Sequence, residues 1–160
     1  MATQAPQRAQ RGEAERSSGL LIGIATKEKT RAPMVEHETL AATLRGLAGE
    51  RAHPKDRAVT LLAREPWEAA CAQLGESLPW TLRRANLFVA AVELTGSVGR
   101  RLRVGAVLLE VTEDNPPCRV MDILHAGLRT ALAPGGRAGV ACRVLEAGEL
   151  RLGDAVRFEL

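Results

Sequence analysis

The chain has no tyrosine, and with two tryptophans and two phenylalanines in 160 residues its aromatic share is 2 %, so its core must be aliphatic. It has no apolar run near the ~18 to 20 residues that cross a bilayer, and no basic-then-apolar secretory leader. A cytoplasmic protein with no membrane partner is expected. Its three cysteines, Cys71, Cys118 and Cys142, are odd in number, far apart and free of CxxC pairs. That argues against a disulfide framework and a zinc ribbon, and leaves reduced thiols as the default. The three histidines, His37, His53 and His125, are too scattered to suggest a three-ligand metal site or a Ser/His/Asp triad. There is no Walker P-loop, no GxGxxG and no HExxH. The glycine-rich "APGGRAG" lacks the setting of a helix-opening phosphate cradle.

What is present suits one compact domain with a tail. Hydrophobic residues make up 46 % and charged residues 26 %, with a net charge of +3. Of 22 basic residues 19 are arginine, a side chain fit for bidentate contact with phosphate or carboxylate, although a GC-rich codon preference is the plainer reading. The basic excess could favour an anionic ligand, but it lacks the dense stripe of a nucleic-acid binder. Arg100, Arg101 and Arg103 read as a solvated strand edge, and no nucleic-acid partner is expected.

Residues 1–19 hold almost no large apolar side chains and are expected to form a disordered arm, with a single domain over 20–160. "LLIGIATK" reads as a buried strand, "PMVEHETLAATLRG" as a weaker one turning at Gly46, and "RAVTLLA" as a third. "REPWEAACAQLG" turns helical, with Trp67, Ala70, Cys71 and Leu74 on one face and Gly75 as its stop. "NLFVAAVEL" is read as a strand, "RLRVGAVLLEVTED" as two strands meeting at Gly105, and "HAGLRTALAP" as a helix through Leu124, Leu128 and Leu132. The finish gives three strands with hairpin-type turns at Gly148-Glu149 and Gly153-Asp154. Many short strands with two or so short helices predict a mainly β protein, a barrel or sandwich. Cys71 and Cys142 fall on apolar faces and read as core, whereas Cys118 follows two prolines in "EDNPPCRV".

The ordered segments "RRANLFVAAVEL", "LRVGAVLLEVTEDNPPCRV" and "GRAGVACRVLEAGELRLGDAVRFEL" resemble the MOSC domain, named after the C-terminal part of molybdenum cofactor sulfurases. Arg84, Asn86 and Leu87 match an R-x-N-L element; Val104, Gly105, Leu108 and Val111 a paired-strand element; Pro117 and Cys118 a P-C motif; and Arg137 and Gly139 an R-x-G. Val144, Leu145, Gly148, Leu150, Gly153, Asp154 and Val156 complete the pattern. The resemblance covers roughly 20–160 and implies a MOSC-type β-barrel. It also implies binding of a molybdenum-pterin cofactor, or transfer of sulfur to it, with Cys118 as metal ligand or sulfur nucleophile, because thiolate is suited to both tasks. The two prolines would stiffen the loop and aim the sulfur into the barrel mouth, and Arg119, if it points the same way, would favour the thiolate.

Arg84, Asn86 and Arg137 are the candidates for holding an anionic cofactor, with Arg57 a fourth; each could instead be a surface or inter-strand ion-pair residue. Where relatives carry "G-D" and "H-G-G" upstream, this chain has "LAGERAHPKDRAV", retaining Gly49-Glu50 and His53. Ala85 precedes the asparagine where many relatives have Glu or Pro. The chain is expected to be a short version of the family, without the pyridoxal phosphate-dependent desulfurase domain of the sulfurases. Three functions follow from the resemblance. A sulfur carrier would receive persulfide sulfur on Cys118 from a cysteine desulfurase. A molybdenum cofactor enzyme would reduce N-oxygenated substrates with electrons from an electron-transfer protein. A non-catalytic barrel would only bind a ligand.

Overall fold

The structure is a computed structural model that describes residues 18–160. Ser18 apart, the segment expected to be an arm lies outside the described residues until Gly19, which already pairs with Val156. The strands are β1 (Gly19–Thr26), β2 (Val35–Glu36), β3 (Thr39–Thr43), β4 (Gly46–Leu47), β5 (Val59–Ala63), β6 (Leu87–Ala90), β7 (Arg101–Val104), β8 (Val107–Asp114), β9 (Val140–Glu146), β10 (Gly148–Arg151) and β11 (Ala155–Phe158). The helices are α1 (Arg64–Leu74), α2 (Val120–Leu124) and α3 (Leu128–Leu132), with 3-10 turns at Lys55–Arg57 and Trp80–Arg83.

Seven strands close on themselves in the order β1-β11-β7-β8-β9-β5-β6 and back to β1, while β10, β3 and β4 form a separate small sheet. This is the expected mainly β barrel, with three short helices. Closure removes the exposed sheet edges that an open sheet of this size would leave. Only β5 and β6 run parallel, so the chain must cross over between them, and α1 is that crossover. Its face of Trp67, Ala70 and Cys71 is buried as the spacing predicts, and Gly75 caps it in the left-handed conformation.

The barrel is filled by inward side chains such as Leu21, Ile24, Leu61, Leu87, Val89, Leu109, Val111, Val144 and Val156. A second apolar layer, including Leu62, Phe88, Trp67, Met121, Leu128 and Leu132, lies between the outer face of β5-β6 and the helices. β6 is thus buried on both faces, which explains why "LFVA" is continuously apolar rather than alternating. Cys142 is fully buried in β9, and burial pushes its thiol far up.

Several expected boundaries move. "HAGLRTALAP" is not one helix: His125 is extended and Gly127 has φ 85°, so α2 and α3 are separate turns, and Leu124 is exposed while Leu128 and Leu132 are buried. The strand in "NLFVAAVEL" ends at Ala90. "PMVEHETLAATLRG" gives β2 and β3 as separate strands. The C-terminal glycines do not make hairpins, because β10 leaves the barrel to pair with β3 and β11 returns to pair with β7 and β1. A local turn signal cannot report that the chain changes sheets there. β7 lies between β8 and β11 rather than at an edge; Arg103 pairs with Glu146 and Glu159, and Arg100 lies 4.1 Å over the Phe158 ring.

Two polar devices hold the site end of the barrel. Gly139 sits against β5 so closely that a Cβ there would be 2.0 Å from the Leu61 carbonyl oxygen, and its φ is 96°. Asn86, 1 % exposed, bridges β1 and β5 just before β6 begins. Its Oδ1 accepts from the Thr60 amide at 3.1 Å and its Nδ2 donates to the Ala25 carbonyl at 3.1 Å. Beside it lies the Glu50 carboxylate, which accepts from the Lys27 amide at 2.7 Å and from His53 at 2.8 Å. Burial alone would raise the Glu50 acid, but these donors, Asn86 and the Lys27 charge outweigh it and hold the carboxyl below its ordinary range.

Asn86→Ala leaves the Thr60 amide and the Ala25 carbonyl without these partners, and should cost about 2–4 kcal/mol in urea unfolding. Because its pKa is lowered in the fold, Glu50 stabilises the fold at neutral pH, and this contribution is lost as pH falls below the ordinary value of 4.5. Unfolding free energy followed from pH 7 to pH 3 should therefore drop more steeply in the wild type than in Glu50→Gln.

Candidate functional site

Strand β8 ends at Asp114, opposite Val140 at the start of β9, and β6 begins nearby after the 3-10 turn that carries Arg83. The segment between β8 and α2 is "NPPCR". Neither proline has an amide hydrogen to donate, so the bend cannot extend the β8 ladder. Asn115 ties it down through its amide to the Gly139 carbonyl at 3.0 Å. Cys118 then stands exposed and unbridged, with its carbonyl accepting from the Met121 amide at 3.0 Å.

The cation that answers this thiol is Arg83, which is 7 % exposed. Its Nε donates to the Ala138 carbonyl at 2.9 Å and one terminal nitrogen donates to the Asn115 carbonyl at 2.7 Å; the other lies 3.9 Å from the Met121 sulfur. Burial lowers the Arg83 guanidinium to about 10, an effect opposed by the charge of an ionised Cys118 and reinforced by the charge of Arg57. It remains charged at neutral pH. No carboxylate among the described residues forms an ion pair with it. Buried cations are ordinarily paired with an anion, because the desolvation of a lone one is costly. Around Arg83 the structure places only carbonyl and thioether acceptors, with Cys118 close enough for its charge, when ionised, to act on the guanidinium.

Arg57 joins the same cluster. It donates to Glu113 at 2.8 Å and to the Asn115 side-chain oxygen at 3.0 Å, so Asn115 links Arg57 through its side chain and Arg83 through its backbone. The other candidates are engaged elsewhere. Asn86 is committed to β1 and β5. Arg84, with φ 67°, donates to the Ala32 carbonyl at 2.5 Å, beside a hollow of about 200 Å³ that Leu124 also lines. Arg137 donates to Gln73 at 2.8 Å and to the Ala131 carbonyl at 3.1 Å, fastening α1 to α3. Arg119 is exposed at the cap of α2.

The altered upstream segment folds over the cluster's flank. Glu50 and His53 line a cavity of about 600 Å³ together with Arg45, Arg51, Lys55 and Ala58, next in sequence to Arg57. His37 bonds Thr26 at 2.8 Å, away from His53, and among the described residues no group of three or more His, Cys, Asp or Glu side chains is arranged to hold a metal ion. Among the described residues no helix is long and apolar enough to cross a membrane.

Sequence reasoning missed Arg83 and Asn115. The R-x-N pattern selects the second arginine of "RRAN", but the 3-10 turn points the first one inward. Asn115 was hidden by the prolines that follow it.

The fold resembles those of several solved proteins. YuaD from Bacillus subtilis has a TM-score of 0.77 at 15 % identity, with 88 % of this chain and 95 % of that one covered. YiiM from Escherichia coli has a TM-score of 0.69 at 17 % identity, covering 88 % of this chain and 70 % of that one. YiiM from Geobacillus stearothermophilus scores 0.67 at 17 % identity, covering 89 % and 73 %. No functionally curated protein matches. The sequence model of the MOSC domain matches residues 43–157, which contain β4 through β10, most of β11, Arg57, Arg83 and Cys118, and the chain therefore belongs to the MOSC domain family.

Proposed function

We propose that this protein carries sulfur as a persulfide on Cys118 for the maturation of a metal–sulfur cofactor. The observation that supports this most directly is an exposed thiol beside a buried guanidinium that has no carboxylate partner among the described residues. The thiolate is the sulfur nucleophile, and a neighbouring cation favours it. In the transfer, the Cys118 thiolate attacks the terminal sulfur of a persulfide on a cysteine desulfurase. The new S–S bond forms at Cys118 Sγ, the donor's S–S bond breaks, and the donor cysteine leaves as its thiolate with the electron pair. The prolines keep the loop out of the sheet, so the sulfur stays accessible to a second protein. A reducing compartment such as the cytoplasm would keep the thiol available.

The same donors fit a molybdenum-pterin cofactor, and this is the second reading. Cys118 supplies one soft ligand, and the Arg57 and Arg83 guanidiniums supply charge for anionic groups of the cofactor. Arg57 and Arg83 also hold protein acceptors, as do Asn86, Arg84 and Arg137, but only the first two are tied to Asn115 in the segment that carries Cys118. When bound, the group would supply redox chemistry, such as reduction of an N-oxygenated substrate with electrons from a partner protein. This chain's residues would bind and orient it.

Incubation with a cysteine desulfurase and cysteine, followed by intact-mass spectrometry, should add ~32 Da, one sulfur atom, to the wild type and none to Cys118→Ser. Cys71→Ser should keep the adduct, because Cys71 is buried. Expression in a molybdate-fed, cofactor-competent host separates the second reading: near-stoichiometric molybdenum lost in Cys118→Ser favours it. Absence of both the adduct and the metal would contradict both readings.

A further inference from the structure

Three of the chain's four aromatic side chains line one hollow. Trp67, Trp80 and Phe88 meet at a cavity of about 420 Å³ on the helical layer, with Cys71 among them and Glu68 and Glu76 at the rim. The volume falls in the ~300–1,000 Å³ range of small-molecule sites. Trp80 stacks on Phe88 with ring centroids 5.0 Å apart and planes 4° apart. Both indole N–H groups are already spent, Trp67 on the Leu78 carbonyl at 3.2 Å and Trp80 on Glu36 at 3.2 Å. These bonds fix both rings and spend their donors, so the half-buried Trp80 offers the cavity π surface rather than an N–H.

The charge of the lining runs against that of the molecule. The chain carries a net charge of +3, yet the cavity is lined by two carboxylates and by no Lys, Arg or His. Glu76 forms no ion pair among the described residues, and Glu68 reaches only Arg64, at 4.0 Å. Core packing accounts for Trp67 and Phe88, which are 3 % and 9 % exposed. Trp80 packs on that layer too, but it is only half-buried and its open part lines a cavity with acidic rim groups.

We propose that this cavity binds a planar organic cation, a flat heteroaromatic or aryl-ammonium group lying against the rings with its charge toward Glu68 and Glu76. An aromatic face attracts a cation by ~0.5–2 kcal/mol, and the carboxylates add to that attraction, whereas an anion would meet repulsion. The site is lined by none of the Cys118 cluster, so it stands apart from sulfur or cofactor handling.

The test uses the full-length ¹⁵N-labelled protein, in which Trp67 and Trp80 give the only two indole N–H signals. N-methylquinolinium should shift both signals saturably, and neutral quinoline at pH 7.5 should bind about tenfold or more weakly. The double variant Glu68→Gln/Glu76→Gln should weaken cation binding at least about fivefold. Both positions are exposed, and the remaining amide spectrum reports whether the fold is kept. No saturable shift up to about 5 mM, equal binding of the cation and quinoline, or unchanged affinity in the folded double variant would each overturn the proposal. The comparison of cation with quinoline needs no variant at all.

Discussion

A guanidinium held away from water without a carboxylate is an expensive arrangement, and the site end of this barrel is built around one. Arg83 gives its donors to the carbonyls of Ala138 and Asn115, which fixes its position but does not neutralise its charge. Those two carbonyls belong to the segments where β9 enters the barrel and β8 leaves it. The same contacts that seat the cation therefore also seat the bend that carries Cys118. Burial lowers the Arg83 guanidinium to about 10, so holding its charge away from water costs the fold stability at neutral pH. A fold optimised only for stability would have placed an apolar side chain there.

The rest of the architecture serves to hold these segments in register. Gly139 lets β9 begin in van der Waals contact with the β5 backbone, and Asn86 locks β1 to β5 across the one parallel pair of strands. The Glu50 carboxylate beside Asn86 extends that lock into the upstream segment through its bonds to the Lys27 amide and His53, and both Glu50 and His53 line the adjoining cavity.

Much of the fold could be read in the sequence because its signals are local. The helix at 64–74 announces itself by its spacing and by Gly75, the β7-β8 hairpin by Gly105, and β6 by an unbroken apolar run. The strand switch at Gly148 was not legible, since a glycine before alternating residues looks the same whether the next strand folds back or crosses to another sheet. The break at Gly127 was missed for a similar reason, as the leucine spacing runs through it undisturbed. In the site, motif position singled out Cys118 and Arg57, and the structure ties Arg57 to Asn115, in the same loop as Cys118. It could not distinguish Arg83 from Arg84, because adjacent residues of a 3-10 turn point about 120° apart and Arg84 leaves the turn with φ 67°, so only the folded turn fixes which of the two is buried.

The central claim is that Arg83 keeps the Cys118 sulfur reactive. Its most direct test is the rate at which iodoacetamide alkylates Cys118 at pH 7.5 in Cys71→Ser protein, with and without Arg83→Met. The account predicts a rate at least about threefold lower without the guanidinium, in protein that remains folded. An unchanged or faster rate in the folded variant would contradict it.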